Sequence, residues 1–490
     1  WTALGLRCGR VLAGMAEAAR RAAYACDVTV ATAREIAFDH LRDREGLRQA
    51  GGALARRAAW LAGESGAGAC PRLRGLCMAI VDEADSLLID EATLPLCLAE
   101  AHDDPAGRAA CFQALALARQ LAPGADLHWD ADAGAPRWTE AGLARLEALA
   151  SGLGGAWLNR RHRLDLVGTA LQALHRLQPD RDYLVREGRI ELLDPVTGRT
   201  AEGRTWSRGL QTLVELKEGC RVSPATRTAA QTSPQGFFAG YLRLAGISGT
   251  LAECRDELRQ VHGLRVVAMP LRRASRRVMG PMRLYADAGA RAAAAVARVR
   301  EMVAQGRPVL VGTEDVAASA DLSARLAAAG IAHRVLDARH DADEAAIVAQ
   351  AGQAGAVTVA TRMAGRGTDI ALGPGVAALG GLHVIGCQDN PSARLDRQLV
   401  GRAARQGDPG SAELWLALDA PAWALGPRRL ALLRRGADAE GRLPWPAAVI
   451  RLWSDRLRRA RGKQDMRQRR RLQEQDRTWQ ERFESTRLRA

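Results

Sequence analysis

A regular alternation of short apolar runs and alanine-rich segments between residues 300 and 420 most strongly limits what this chain can fold into. Five runs have the apolar, β-rich composition of buried strands, namely 308–312, 333–336, 356–360, 382–386 and 413–418. The stretches 317–328 and 344–351 between them have the composition of helices. Strands that alternate with helices form a parallel sheet with helices on its faces. Ligands of such sheets bind beyond the carboxyl ends of the strands.

An earlier part of the chain has the same character and contains an insertion. Residues 25–32 and 76–81 are predicted to be buried strands, and 245–250 a loop after a helix. From about 98 to 225 the sequence is richer in turns and includes a hairpin pattern at 182–193. A domain is tolerated as an insertion at a surface loop. We therefore predict a separate domain inserted into the first α/β unit.

The segment from residue 445 onward is predicted to be a helix. Val449, Leu452, Trp453 and Leu457 form an apolar stripe at helical spacing. The remainder is charged and mainly arginine. Such a tail can contact anionic lipid, and a solvated helix face is the alternative.

Composition restricts the class of protein less than the alternation of predicted strands and helices does. The net charge is +15, and every base except Lys217 and Lys463 is arginine. A basic chain can meet nucleic acid, anionic lipid or an acidic partner, and charge alone does not choose among them. The sequence has no apolar run long enough for a membrane span. The nine cysteines include no Cys-x-x-Cys pair, so no zinc is expected, and reduced thiols in a cytosolic protein are predicted.

Two acids, Asp82 and Glu83, stand at the carboxyl end of the predicted strand 76–81, within Asp-Glu-Ala-Asp at 82–85. A nucleotide–magnesium site needs acids in this position. The first holds the metal through its water shell, and the second orients or activates the attacking water. Both are therefore catalytic candidates, with Asp82 as the magnesium ligand through water. A surface turn is the alternative.

Arg402 and Arg405 form the second candidate group, three residues apart and predicted to share one helical face. Their guanidinium groups suit the charge that develops on a transferring γ-phosphoryl group. A solvated arginine pair is the alternative.

The third group, Gly365, Arg366, Gly367 and Asp369, follows the predicted strand 356–360 and is assigned to ATP binding. Its two glycines let the backbone approach a ligand closely. Asp369 either binds a ribose hydroxyl or links the site to its moving partner. Together the three groups occur in the order expected of two paired RecA-like lobes with ATP between them.

The acid motif continues in a way that resembles the SecA family. Residues 81–92 run past the acids into Ile-Asp-Glu-Ala, which nucleic-acid helicases usually lack. Further SecA-like strings occur at 38–43, 197–200, 246–250, 344–352 and 380–386. The resemblance extends from about residue 4 to 485.

The resemblance implies an α/β protein with two RecA-like parallel-sheet motor lobes, an inserted α+β preprotein-binding domain in the first lobe, and a C-terminal helical segment. It places the first lobe at 1–97 and 226–278, the inserted preprotein cross-linking domain at 98–225, the second lobe at 279–425, and a truncated helical scaffold at 426–490.

The implied activity is that of an ATP-driven motor that moves unfolded preproteins through the SecY channel, with ATP and Mg²⁺ as cofactors. The implied location is cytoplasmic and peripheral on the inner membrane. The SecY channel complex and unfolded preproteins are the expected partners, anionic lipids and a homodimer are further options, and no nucleic acid is expected. By matching positions, the arginine pair would act as arginine fingers, Asp408 would contact the nucleotide, and Asp369 would lie between the lobes.

The chain also departs from the family pattern. The loop Gly-x-x-x-x-Gly-Lys-Thr, which cradles phosphates, does not occur in these 490 residues. We expect it upstream of residue 1, and a pseudoenzyme is the alternative. Gln-Asp-Asn-Pro at 388–391 replaces Glu-Arg-His-Glu, and Val400 and Ala404 replace arginine and glycine. These changes leave the acids and arginine pair intact but bear on coupling between the lobes.

Two other functions remain open on the sequence. An RNA or DNA helicase shares the two-lobe engine, although it would lack the long insert before Ser-Gly-Thr at 248–250. A non-hydrolysing SecA-like binding protein would keep the clamp but bind no nucleotide.

Overall fold

The computed structural model describes residues 1–49, 71–129, 136–193, 200, 205–206, 209–337, 344–361, 368–420, 423 and 426–487. These residues form an α/β protein whose larger sheet is almost entirely parallel, with an inserted domain and a C-terminal helix. The predicted fold class is confirmed.

The elements fall into five stretches along the chain. The first part of the first lobe contains β1 (Cys8–Val11), α1 (Glu17–Tyr24), β2 (Val28–Ala31), α2 (Ala33–Gln49) and β3 (Met78–Val81). The inserted domain contains β4 (Leu96–His102), α3 (Pro105–Ala118), β5 (Leu127–Trp129), β6 (Pro136–Trp138), α4 (Glu140–Ala150), α5 (Arg160–His175), β7 (Tyr183–Arg186), β8 (Arg189–Leu192), α6 (Leu210–Lys217) and β9 (Ala225–Thr232). The first lobe resumes with α7 (Pro234–Ala239), β10 (Arg243–Gly246) and α8 (Arg255–His262). The second lobe contains β11 (Arg276–Met279), β12 (Arg283–Tyr285), α9 (Ala288–Ala304), β13 (Val309–Thr313), α10 (Val316–Ala328), β14 (Arg334–Leu336), α11 (Glu344–Gln350), β15 (Val357–Thr361), β16 (Leu382–Cys387), α12 (Ala393–Val400), β17 (Pro409–Ala417), α13 (Pro427–Arg434) and β18 (Arg442–Leu443). The long helix α14 (Ala447–Arg487) follows.

Two strands of the first lobe are more exposed than their sequences predict. The strands predicted at 25–32 and 76–81 are present as β2 and β3, yet Met78 and Ile80 are 59% and 58% exposed. β3 pairs with β10 along one edge. Because side chains alternate between the two faces of a strand, Met78 and Ile80 share a face that the described residues leave open. β10 includes residues 245–246 of the loop predicted at 245–250, whereas residues 247–250 have no regular secondary structure, as predicted.

The inserted domain has its own core and is joined to the first lobe by a two-stranded ribbon. β4 and β9 pair antiparallel, so the borders predicted at 98 and 225 fall within this ribbon. The core includes Leu171 and Leu213, both fully buried. The hairpin predicted at 182–193 is the antiparallel pair β7–β8.

The second lobe is built on a sheet whose order within the described residues is β14-β15-β13-β16-β17-β12-β18, with β11 also beside β17. All pairs are parallel except β12–β18. Every residue of β13, β15 and β16 is buried, which explains their continuous apolar sequences. The five strands and two helices predicted between 300 and 420 are therefore confirmed.

The helix α14 contacts both lobes. Near its start, the Trp453 ring lies 4.6 Å from that of Trp423 and 5.4 Å from that of Trp445, between centroids. Further along, Arg469 Nε donates to Glu257 Oε1 of α8 at 2.7 Å. None of the described helices is both long enough and apolar enough to cross a membrane.

The apolar stripe predicted on this helix is wrong in part. Val449 and Leu452 are 47% and 69% exposed, whereas Ile450 is buried. Ile450 packs with Trp453 and Leu457 against the second lobe. These three residues are three and four apart, so they share one helical face.

The buried side chain of His383 is expected to make the stability of the protein depend on pH. The His383 side chain is buried in β16, and its Nδ1 lies 2.8 Å from Ser411 Oγ. Burial, with Arg298 and Arg307 nearby, lowers the pKa of His383 to about 3. Glu413 Oε1 lies 3.7 Å from Nε2, but this oxygen also accepts two hydrogen bonds from Arg298.

Because the unfolded chain binds this proton near pH 6.5 and the folded chain near pH 3, stability is lost as pH falls through that window. We expect protonation of His383 to lower the free energy of unfolding by about 3 kcal/mol between pH 7 and pH 4. Urea titrations at several pH values would measure this. His383→Asn, which keeps a partner for Ser411, should flatten the pH profile, and the exposed His128→Asn should not. Equal slopes in the parent and His383→Asn would contradict the assignment.

Candidate functional site

The two predicted catalytic acids lie in a sharp turn at the carboxyl end of β3. Asp82 is exposed and Glu83 is half-buried. The Glu83 backbone has φ 47°, and its N–H donates to Asp82 Oδ1 at 2.9 Å. A positive φ is costly for a residue other than glycine and is found where the surrounding structure enforces it. The turn therefore places both residues directly after the end of β3, the position in the chain that the sequence predicts.

Asp85, the last acid of the motif, joins three segments of the chain. It is fully buried. Its Oδ2 accepts a hydrogen bond from Thr250 Oγ1 at 2.5 Å and another from Gln398 Nε2 of α12. Thr250 follows β10 in the first lobe, whereas α12 belongs to the second lobe. The acid motif is thus bonded directly to the other lobe. Asp85 is part of the predicted motif, but its sequence context does not indicate this role.

A buried ion pair forms a second bond between the lobes. Residues 86–90 make one π-helical turn after the acid motif, a form often found at functional sites. This turn buries Asp90, to which Arg394 of α12 donates from both terminal nitrogens, with 2.9 Å between Nη1 and Oδ2. Burial lowers the pKa of Arg394, but the attraction of Asp90 outweighs it, and the pKa is raised. The Arg394 guanidinium is therefore charged at neutral pH.

Sequence reasoning missed both members of this pair. Asp90 lies in the Ile-Asp-Glu-Ala extension, but nothing in the local pattern names its partner. Arg394 is one of many arginines in the chain. A signal was nevertheless present, because Arg394 and Gln398 are four residues apart and face the same direction on α12.

The arginine pair does not lie on a helix, which corrects the prediction. α12 ends at Val400, and Ala404 and Gln406 have φ 57° and 54°. A helix cannot continue through residues with positive φ. The two side chains still converge, since Arg402 Nη1 and Arg405 Nη1 donate to Thr368 O at 2.9 and 3.3 Å.

Asp369 lies beside this pair. Its Oδ1 accepts from Arg405 Nη1 at 3.2 Å and its Oδ2 from Gln406 Nε2 at 3.0 Å. These partners belong to the second lobe, so the described bonds of Asp369 are within one lobe. Asp408 has an exposed side chain, and its N–H donates to Arg405 O at 2.9 Å. Gly365, Arg366 and Gly367 lie outside the described residues.

The donor set suits a magnesium ion that is held mainly by nucleotide phosphates. The described residues contain no group of three or more His, Cys, Asp or Glu side chains that could enclose a metal. Mg²⁺ in nucleotide sites usually keeps several waters and uses one or two protein carboxylates plus phosphate oxygens. The exposed carboxylate of Asp82 fits that requirement.

Comparison with known proteins gives one family. A model described as the SecA DEAD-like domain matches residues 1–259, and one described as the SecA P-loop domain matches residues 275–377 and 374–423. Protein translocase subunit SecA 2 of Nitrosospira multiformis is 42% identical over 416 residues, covering 85% of this chain and 62% of the relative.

A second relative gives a similar result. Protein translocase subunit SecA 3 of Magnetococcus marinus is 42% identical over 419 residues, covering 86% of this chain and 63% of the relative. The chain therefore spans less than two thirds of the length of these relatives. A solved apo structure of XPD covers 85% of this chain at 11% identity with a TM-score of 0.35, too low to support an argument.

Proposed function

Since the chain belongs to the SecA family, we propose that the full-length protein is an ATP-driven motor that moves unfolded preproteins through the SecY channel. The observation that carries the proposal is the bonding of α12 to the acid motif through Asp85 and Asp90. ATP hydrolysis at this motif can move the second lobe only if the two lobes are joined there.

The proposed chemistry assigns one task to each side chain. Mg²⁺·ATP, when bound, supplies the phosphoryl group that is transferred to water. Asp82 would hold the metal through its water shell, and Glu83 would orient and deprotonate the attacking water. Arg402 and Arg405 would stabilise the charge on the phosphoryl oxygens. Their present hydrogen bonds to Thr368 O would have to be exchanged for bonds to phosphate.

The remaining predicted residues would complete the nucleotide site. Asp408 is assigned a contact with the nucleotide. Gly365 and Gly367 are assigned a close backbone approach to it, with Arg366 between them. Asp369 is assigned a place at the lobe interface, where release of Arg405 would free its carboxylate.

The inserted domain supports a protein substrate in preference to a nucleic acid. Leu184 and Leu193 of this domain form a buried cluster with Val316 at the start of α10 in the second lobe. Movement of the second lobe would therefore displace the inserted domain through this cluster. The β4–β9 ribbon also joins the inserted domain to the first lobe. We infer that the inserted domain is the preprotein clamp, and that the protein is cytoplasmic and peripheral on the inner membrane.

The test is the ATP turnover of the full-length protein. Magnesium-dependent turnover should rise several-fold with an unfolded preprotein and should not respond to RNA. Leu184→Asp should abolish the stimulation, because a charge in the apolar cluster has no partner. Val185→Asp is the matched control, since Val185 is 48% exposed on the same strand. Stimulation by RNA alone would favour a helicase, and failure to bind nucleotide would favour a non-hydrolysing binding protein.

A further inference from the structure

The segment after α12 has a strained backbone. Residues 401–408, here called the arginine loop, carry Arg402 and Arg405. Within it Ala404 and Gln406 have φ 57° and 54°. A left-handed conformation places Cβ too close to a carbonyl oxygen, a cost that glycine avoids. Contacts from outside the loop must therefore stabilise its conformation.

Those contacts come from β11 and from the segment between α8 and β11. Arg277 of β11 donates from both Nε and Nη2 to Ala403 O, at 3.1 and 2.9 Å. Arg273 Nη1 donates to Gln406 O at 3.4 Å. The Arg273 stem lies so close to Gly407 that a Cβ there would be 2.9 Å from it. Arg277 and Arg273 thus bind the loop at Ala403, just before the first strained residue, and at Gln406, the second strained residue.

The position of Arg277 is itself unfavourable for a cation. Burial and the neighbouring Arg405 guanidinium lower the pKa of Arg277, and both of its hydrogen bonds above go to an uncharged oxygen. β11 pairs with β17 so that Arg277 is opposite Gly410. A Cβ at Gly410 would lie 2.6 Å from Ala404 N. Strand, arginine and loop are therefore packed as one unit.

We propose that Arg277 is a positioning residue of the nucleotide site, which holds the arginine loop in its strained conformation so that Arg402 and Arg405 converge. Because Arg277 lies in β11, the first strand after α8 of the first lobe, a shift of β11 would change the presentation of both arginines. The effect on catalysis rests on the proposed function, whereas the effect on loop conformation does not.

The first experiment needs no nucleotide. In Arg277→Gln, the amide hydrogens of Ala403 and Asp408, which donate to Val400 O and Arg405 O, should lose protection against exchange by about tenfold or more. Adding Ala404→Gly should restore protection to within about threefold, because glycine adopts a positive φ without the Cβ cost. Glu187→Gly is the matched control, since Glu187 has φ 51° in the inserted domain and its replacement should restore nothing in the loop.

The second experiment measures catalysis in the full-length protein. Arg277→Gln should lower kcat for ATP by about tenfold or more, with KM changed less than about twofold. Misplaced arginines reduce the stabilisation of the transition state without changing the binding of ATP. Ala404→Gly should recover most of kcat. Unchanged protection in Arg277→Gln, or recovery by Glu187→Gly, would overturn the proposal. Loss and rescue of protection in a protein without ATPase activity would refute the proposed function and leave the positioning role intact.

Discussion

Glu83→Gln is expected to lower ATP turnover of the full-length protein by about 10²–10⁴-fold while nucleotide affinity stays within about twofold. The amide has the size of the carboxylate but cannot accept the proton of the attacking water. Glu83 stands half-buried in the turn after β3 with φ 47°, and glutamine has the same size and the same backbone preferences. The change therefore removes the proposed base and leaves the turn.

Steady-state turnover and equilibrium binding of a fluorescent ATP analogue would separate these two effects. Glu440→Gln makes the same chemical change at an exposed turn and should leave both quantities unaltered. Turnover of Glu83→Gln within about threefold of the parent would exclude Glu83 as the base, since a general base contributes far more.

Arg394→Met should lower the free energy of unfolding by about 3–5 kcal/mol, because it leaves Asp90 as a buried charge without its partner. The pair is well shielded from solvent, with side-chain exposures of 6% and 7%. The same substitution removes a hydrogen bond to Asp85 O, which Arg394 Nη1 donates at 3.3 Å. Urea unfolding followed by tryptophan fluorescence would measure the loss.

Arg397→Met is the matched control on the same helix. Arg397 forms a 2.6 Å ion pair with Glu253 that is 43% and 47% exposed, and such surface pairs contribute less than about 1 kcal/mol. The double variant Arg394→Met/Asp90→Leu should recover most of the stability, since replacing both members of a buried pair by apolar groups is often neutral. A double variant as unstable as Arg394→Met would show that the buried Asp90 charge is not the cause.

The strands of the second lobe could be predicted because each is buried on both faces. A strand in that position needs a nearly continuous apolar sequence, and β13, β15 and β16 have one. β3 has a similar composition, yet Met78 and Ile80 are exposed. An apolar composition indicates that a strand can be buried. Whether it is buried depends on which other segments of the chain pack over it.

In the candidate site, too, some features could be predicted from the sequence and others could not. The acids were predictable because a strand that runs into two carboxylates presents them at its end, which is a local relation. The arginine loop was predicted as a helix because spacing alone does not reveal positive φ at Ala404 and Gln406. The catalytic, metal-binding and ATP-binding roles of all the predicted site residues remain predictions, and Gly365, Arg366 and Gly367 lie outside the described residues.

By itself the amino-acid sequence determined the order of strands and helices, the position of the acid motif and the family to which the chain belongs. Only the tertiary structure decided that Arg394 bonds to Asp90, 304 residues away along the chain, and that Arg277 supports the arginine loop. Secondary structure follows from the periodicity of neighbouring residues. A buried charge, by contrast, needs an opposite charge from whichever segment the fold brings beside it, and no local pattern records which segment that is.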